Sequence, residues 1–157
     1  MATIARDLMQ TGLVTVEPDA PLSVVQRVFV EEEIHGAPVV DSEGRVLGVI
    51  TSTDLLRAAG ESEELRPSEP AYFRGDLDLH GFDWDRAPID LRERLADTVA
   101  ADFMTTEIVS VPPDATVASV ARTLREQAVH RVLVIDDGEL LGLISAMDLV
   151  ALLEREQ

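Results

Sequence analysis

A glycine, a hydroxyl and a carboxylate recur at one spacing in two places of the sequence. Glycine permits close approach to a strand backbone. The hydroxyl is expected at the end of that strand and the carboxylate in the first turn of the next helix, where free amides favour anionic oxygens. A carboxylate there can accept hydrogen bonds from both ribose hydroxyls, which suits a ribonucleoside carrying phosphate. The two copies consist of Gly48, Thr51 and Asp54, and of Gly142, Ser145 and Asp148.

A second interpretation of the same residues is purely structural. Thr51 or Ser145, with the Asp three positions later, has the spacing at which side chains cap a helix. A single copy would leave capping and ligand binding equally open. Recurrence of the pattern with matching flanks favours binding, and both interpretations remain to be compared in the structure.

The motif belongs to a longer internal repeat. Residues 9–56 correspond to residues 104–150 at an offset of 95, which becomes 94 after a one-residue loss in the turn between Asp41 and Gly48. A duplicated unit of this size usually packs about a pseudo-two-fold axis, with a cleft along it. The matching runs are 14–20 (VTVEPDA) with 109–115 (VSVPPDA), and 35–41 (HGAPVVD) with 130–136 (HRVLVID).

Each copy predicts the order β-α-β-β-α, so the fold class is α/β (α+β) with two packed repeats. A β-branched run (14–16; 108–111) ends at proline, and Asp19 or Asp114 suits the N-cap of the next helix. Hairpin strands are expected over 37–40 and 46–50, and over 132–135 and 140–144, before a last helix near Thr53 or Ala146. Helical spacing in the first helices relates Leu22, Val25, Val28 and Phe29, and Val117, Val120, Ala121 and Leu124.

Composition excludes several classes of function. The 157 residues carry a net charge of −17, which argues against binding to nucleic acid or anionic lipid. Cys and Lys are both absent, so thiol catalysis, thiolate metal sites and Schiff-base chemistry are excluded. The N-terminus lacks the pattern of a signal peptide, and no apolar run is long enough to span a membrane. We expect a soluble, cytoplasmic protein.

The segment between the copies, residues 61–98, is acidic and holds four of the six aromatic residues. Because a flexible linker would not concentrate Tyr72, Phe73, Phe82 and Trp84, part of it is expected to pack onto the body or a partner. Residues 90–101 have Leu91, Leu95 and Val99 at helical spacing. Residues 76–87 begin like a calcium loop, but the twelfth position lacks the required Glu.

The glycine–hydroxyl–carboxylate motif and the matching runs 35–41 and 130–136 together resemble a tandem pair of cystathionine-β-synthase (CBS) domains, or Bateman module. The resemblance implies CBS repeats over 5–60 (repeat 1) and 99–157 (repeat 2), separated by the connecting insert 61–98. It implies adenosine-type ligands (AMP, ADP, ATP or S-adenosylmethionine) between the repeats, no required cofactor, sensing rather than catalysis, and a disc-like homodimer acting on an unknown protein target. The alternative is a structural dimerisation module with degenerate, empty sites.

The resemblance also assigns roles to individual residues. Asp54 and Asp148 resemble ribose binders, Thr51 and Ser145 phosphate-side hydroxyls, and the pair at 130–131 one that reaches nucleotide phosphates in a family member. If one site is filled, we expect repeat 2 to supply its residues. Positions that flank adenine, or that belong to the phosphate pair, are Thr15, Val16, Gly36, Ala37, Pro38, Val109, Ser110, His130, Arg131, Val132 and Leu133.

Three departures from the family pattern reduce the expected phosphate contacts. Thr53 and Met147 stand where many nucleotide-binding members have Arg, and Leu133 replaces the proline seen at Pro38. His35 and His130 occupy equivalent positions, so each is expected to make the same structural hydrogen bond within its own copy. Contact with a ligand is the alternative. Metal binding is not expected, because no further ligand has a suitable spacing.

Overall fold

A computed structural model of the chain describes residues 2–58, 71–74 and 95–155. The predicted mixed α/β fold class is confirmed, with two similar sets of elements. The elements are α1 (Ala5–Leu8), α2 (Leu22–Glu32), β1 (Gly36–Val40), β2 (Val46–Thr51), α3 (Ser52–Ala58), α4 (Ala71–Arg74), α5 (Ala100–Phe103), β3 (Ser110–Val111), α6 (Val117–Gln127), β4 (Arg131–Asp136), β5 (Glu139–Ser145) and α7 (Ala146–Arg155).

The predicted hairpins form the two sheets. β1 pairs antiparallel with β2, and β4 pairs antiparallel with β5. β3 lies parallel to β4, while its counterpart in repeat 1 is reduced to one parallel bridge between Val16 and Val39. The first strand of each repeat is therefore shorter than its β-branched run predicts, and only the end of the run that precedes the prolines pairs with the sheet.

The apolar faces of the long helices cover these sheets as predicted. Leu22 and Val25 in α2, and Val120 in α6, are fully buried, and Phe29 and Leu124 are nearly so. Because α-helical residues three and four positions apart share a face, each helix contributes one stripe to a core. Ala121 is exposed, so the stripe of α6 is narrower than its sequence suggests.

The predicted N-caps were wrong. Asp19 and Asp114 lie in turns closed by Ala20 N–H to Glu17 O (3.1 Å) and Ala115 N–H to Pro112 O (3.1 Å). The helices begin later, with Pro21 as N-cap of α2 and Thr116 as N-cap of α6. The delay arises because the residues after each turn are extended and bridge the opposite repeat.

Each repeat exchanges its N-terminal segment with the other. Ile4 bridges Thr116 of repeat 2, and Val99 bridges Pro21 of repeat 1 at the equivalent positions. Ala5 is accordingly buried in the core built on repeat 2, and Ala100 in the core built on repeat 1. The exchange makes the two repeats one packing unit with pseudo-two-fold symmetry.

The described part of the connecting insert contributes to both cores. Tyr72 and Phe73 in α4 belong to the core of repeat 2, which confirms that aromatic residues of the insert pack onto the body. Leu95 is helical and buried in the core of repeat 1, whereas Val99 leaves the helix to form its bridge. Phe82, Trp84, Leu91 and the calcium-like run 76–87 lie outside the described residues.

No described helix combines the length and apolar character needed to cross a lipid bilayer.

Candidate functional site

The two motif copies fold into the same local structure. In repeat 1, one carboxylate oxygen of Asp54 (Oδ2) accepts hydrogen bonds from the Thr51 amide (2.9 Å) and hydroxyl (3.1 Å). In repeat 2, Asp148 Oδ2 accepts the same bonds from Ser145, at 2.8 and 3.1 Å. Each hydroxyl in turn accepts from the Asp amide at 3.3 Å. This reciprocal pairing is a capping box, so the capping interpretation holds in both copies.

The capping box uses one carboxylate oxygen and leaves the other, Oδ1, for a further partner. In repeat 1 that partner is Arg57, whose Nη2 donates to Asp54 Oδ1 at 3.1 Å. Arg57 Nη2 also donates to the Phe103 carbonyl, and its guanidinium lies 5.6 Å from the Phe103 ring centre. Asp54 is 1% exposed, and Thr51 and Ser52 are buried beside it.

The environment of Asp54 opposes its ionisation. Burial raises the pKa of the Asp54 carboxyl above its ordinary value, and the bond from Thr51 and the charge of Arg57 offset only part of that rise. With both oxygens engaged inside the protein, this carboxylate is a structural group in the described conformation.

In repeat 2 the second carboxylate oxygen faces a different neighbour. Gln10 Nε2 donates to Asp148 Oδ1 at 3.2 Å and to Oδ2 at 3.1 Å, across the contact between the repeats. Asp148 and Ser145 are only partly buried. A neutral amide at the surface is more easily displaced by a ligand hydroxyl than a guanidinium paired with a buried carboxylate, because water can satisfy the amide when it leaves.

The motif glycines serve the contact between the repeats. A Cβ on Gly48 would lie 2.6 Å from the Thr105 carbonyl oxygen, and a Cβ on Gly142 would lie 2.7 Å from the Gln10 carbonyl oxygen. The close approach predicted from the glycines is thus made by the exchanged N-terminal segments. It places Gln10 next to Asp148 and fixes the geometry of that site.

A cavity of about 440 Å³ lies between the repeats on the side of Gln10. One wall comes from the start of β1 in repeat 1, another from β4 and β5 in repeat 2, and Tyr72 of the connecting insert closes a third side. Gln10 connects the cavity wall to Asp148. We call this cavity the open cleft; its lining residues are Gln10, Leu13, Val14, Glu33, Ile34, His35, Gly36, Pro38, Tyr72, Arg131 and Leu143.

Some of the sequence-predicted site residues meet at the open cleft. Gly36, Pro38 and Arg131 line it, and Asp148 is joined to its wall through Gln10. His35, which was expected to be structural, lines it as well, whereas the predicted His130 is not among its lining residues. The open cleft therefore brings Gly36 and Pro38 of repeat 1 together with Arg131 of repeat 2. The expectation that repeat 2 alone would supply the residues of a single filled site is not what this cavity offers.

The other predicted residues lie elsewhere. Thr15 lines a neighbouring cavity of about 300 Å³, and Ser110 is exposed. Val109 is partly buried, and its carbonyl accepts from the Leu133 amide at 3.0 Å. Four of the predicted residues have their side chains in the cores: Val16, Ala37, Val132 and Leu133.

Sequence reasoning missed several residues of the open cleft. Gln10, Glu33 and Tyr72 lie outside the repeated motifs, so only the packing brings them to the cavity. No sign of these three residues is present in the sequence, but it does contain one sign that the two motif sites differ. Arg57, whose side chain pairs with Asp54, has Ala151 at its equivalent position in repeat 2. That difference already marked the two copies as unequal.

The two histidines occupy equivalent positions, and the bonds they share are made by the main chain, so they do not test the role expected of the side chains. The His35 carbonyl accepts from Ser52 N–H and the His130 carbonyl from Ala146 N–H, both at 2.9 Å. Both side chains are exposed. Within residues 2–58, 71–74 and 95–155, no cluster of three or more potential metal ligands is present.

Comparison with known proteins agrees with this architecture. The family model for the CBS domain matches residues 5–61 and 99–155. A solved CBS domain of a membrane protein from Sphaerobacter thermophilus is 30% identical, with a TM-score of 0.67 over 96% of this chain and 88% of that one.

Two further solved structures share the fold and were determined with adenosyl compounds. CBSX2 in complex with AMP is 24% identical, with a TM-score of 0.66 and coverage of 98% of both chains. The CBS domain pair of protein MJ0100, in complex with 5′-methylthioadenosine and S-adenosyl-L-methionine, is 17% identical, with a TM-score of 0.63 and full coverage of both chains. On its two family matches and its fold, the chain belongs to the CBS domain family and is a CBS domain pair.

Proposed function

We propose that this CBS domain pair is a regulatory module that senses an adenine nucleotide or adenosyl compound in the open cleft. The observation that carries the proposal is the cavity itself, where Gly36 and Pro38 of repeat 1 face Arg131 of repeat 2 and Gln10 leads to Asp148. CBS pairs of the same fold with AMP, or with 5′-methylthioadenosine and S-adenosylmethionine, support this ligand class.

Different residues would contact the three parts of the ligand, namely the base, the ribose and the substituent on its 5′ carbon. Val14, Gly36 and Pro38 offer an apolar wall to a planar base. Asp148 is partly exposed and would exchange its hydrogen bonds from the Gln10 amide for bonds from the ribose hydroxyls. Bonds from a hydroxyl to an ionised carboxylate are short and strong. Arg131 would then face the substituent on the ribose 5′ carbon.

Charge limits how much phosphate the cleft would hold. Among the described residues, Arg131 is the one Arg that lines it, and Glu33 lines it as well. Repulsion by Glu33 and the net charge of −17 would oppose a triphosphate more than a monophosphate. We therefore expect AMP, ADP or an S-adenosyl compound to bind more tightly than ATP.

A sensing role fits the chemistry of the described residues better than catalysis. The motif carboxylates close capping boxes, and the absence of Cys and Lys removes two common nucleophiles. Binding energy would instead bias the conformation or the partner affinity of the module, which requires different ligand affinities in two states.

The test is thermal unfolding of the full chain against AMP, ADP, ATP, S-adenosylmethionine and adenosine, with GMP as control. A ligand at about 100 times its Kd should stabilise the fold by about 2.7 kcal/mol, which raises Tm by several degrees. Asp148→Asn should lose most of the shift. The absence of any shift at millimolar ligand would contradict the proposal.

The second candidate function is a structural dimerisation module, and one observation favours it. Helix α7 exposes Met147 (70%), Val150 (51%) and Leu153 (64%) three positions apart on one face. A second copy of the chain covering this face would bury the stripe and form the expected homodimer. Sedimentation of the wild type and of Leu153→Glu would test it; a monomeric wild type would exclude it.

A further inference from the structure

Pseudo-two-fold symmetry requires a second cleft equivalent to the open one. The offset of the repeats converts the lining residues Ile34, Leu13, Val14 and Leu143 into Val129, Ile108, Val109 and Val49. In the open cleft the first set borders a cavity. The second set belongs to, or packs against, one buried hydrophobic cluster. Leu143 of the open cleft also packs against this cluster, so the difference between the clefts lies in the cavity that the first set borders and in the residue that occupies the second cleft.

The cluster in the second cleft includes a residue that has no repeat equivalent. Phe73 of the connecting insert is fully buried there, in the same cluster as Val49 and Val129. Its helix, α4, contacts β2 of repeat 1 and β4 of repeat 2. The ring is thus held between the two repeats, as a ligand between them would be.

The main chain of Phe73 strengthens this placement. Its carbonyl accepts a hydrogen bond from the His130 amide at 2.8 Å. The equivalent amide, that of His35, belongs to a residue of the open cleft, and no described residue accepts a hydrogen bond from it. An apolar ring and an adjacent acceptor thus occupy one cleft, whereas the equivalent amide of the other cleft has no such acceptor in α4.

The neighbouring residue of α4 belongs to the open cleft instead. The Tyr72 ring packs against Gly36, where a Cβ would lie 2.7 Å from its Cδ2, and the Arg131 guanidinium lies 5.2 Å from its centre. Gly36 and Arg131 are equivalent positions of the two repeats. Tyr72 therefore lies between the clefts, and its edge-to-face contact with Phe73, at 5.0 Å, joins them.

We propose that the connecting insert is an internal ligand: α4 fills the second cleft with Phe73 and completes the first with Tyr72. The chain then has one adenosyl site, not the two that its duplication predicts. The number of ligands rests on the proposed function, but the filling of the second cleft does not.

Amide hydrogen exchange measured by NMR on the ligand-free chain tests the filling directly. The His130 amide should exchange at least about tenfold more slowly than the equivalent His35 amide, because only the former has an acceptor in α4. Phe73→Ala should abolish this protection selectively. Phe29→Ala, which truncates a buried ring of the other core, is the matched control and should leave the His130 amide protected.

Calorimetric titration of the wild type with AMP tests the stoichiometry. One AMP per chain is expected, and two per chain would overturn the proposal. Equal, rapid exchange of the His35 and His130 amides would overturn it as well, even if Phe73→Ala does not fold. If AMP does not bind but the His130 amide is protected, the proposed function fails and the internal ligand stands.

Discussion

The two copies of the Gly-x-x-Thr/Ser-x-x-Asp motif have the same local geometry and opposite environments. Both carboxylates close a capping box with equivalent bonds. Asp54 is buried and forms an ion pair with Arg57, whereas Asp148 is partly exposed and accepts hydrogen bonds from Gln10. The comparison teaches that the motif determines where the carboxylate points and its neighbours determine whether a ligand can reach it.

The inequality extends beyond the carboxylates. The cleft that contains Gly36 and Pro38 is open to a ligand, and its counterpart holds Phe73. The sequence also differs at both places: Arg57 has Ala151 as its equivalent, and Gly36 has Arg131. The duplication therefore gave two repeats with the same backbone arrangement, and the clefts between them differ because the connecting insert and a few side chains differ.

The largest expected effect is on stability, from the same substitution made in both copies. Asp54→Ala removes one partner of a buried ion pair whose Arg57 is a third exposed, and should lower the free energy of unfolding by about 2–3 kcal/mol. Asp148→Ala at its partly exposed position should cost less than about 1 kcal/mol. Urea unfolding measures both, and equal losses would refute the distinction between the sites.

Ligand affinity should respond in the opposite order. Asp148→Ala should weaken AMP binding by about 10–100-fold, since a hydrogen bond to a charged group contributes about 1.5–3 kcal/mol. Asp54→Ala, measured under conditions where it is folded, should change the Kd by less than about threefold. Calorimetry decides, and a larger loss at Asp54 would place the ligand in the other cleft.

The role of Arg131 sharpens the description of the open cleft. Arg131→Ala should weaken AMP by about tenfold and adenosine by much less, because only AMP has a phosphate for the guanidinium. Loss of the contact with the Tyr72 ring affects both ligands alike, so the ratio of the two Kd values is the informative quantity. Equal losses would show that Arg131 touches no phosphate.

The smallest effect is a difference in pH dependence. Because the pKa of Asp54 is raised in the folded protein, the favourable contribution of its protonated form is present below the ordinary pKa and is lost as pH rises through the folded pKa. Wild type should therefore gain stability relative to Asp54→Asn as pH falls from 7 towards 4. Urea unfolding of both proteins across this range measures the trend, and a relative loss would contradict the direction of the shift.

Much of the fold was predictable because the information is local and stated twice. Short apolar runs on either side of a tight turn predicted both hairpins, and the apolar spacing that includes Leu22 and Val120 predicted both helices. The prediction failed where non-local pairing intervened. Asp19 and Asp114 have the residue type of an N-cap, but the exchanged bridges of Pro21 and Thr116 delay the helices beyond them.

The site was predictable in its parts and not in its assembly. The sequence identified Gly36, Pro38, Arg131 and Asp148 as candidate ligand residues, and their roles remain predictions. It could not reveal that Gln10 connects to Asp148, because those residues are 138 positions apart and meet only when the N-terminal segment crosses to the other repeat.

The sequence by itself determined the duplication, the order of elements and the capping geometry of both motifs, because each depends on residues a few positions apart. Only the tertiary structure decided which carboxylate is buried, which cleft is open and where the insert packs. Those outcomes depend on residues far apart in the sequence, Gln10 and Phe73 among them, which pack at different places between two otherwise equivalent repeats. The pattern of neighbouring residues in the sequence does not determine such long-range contacts.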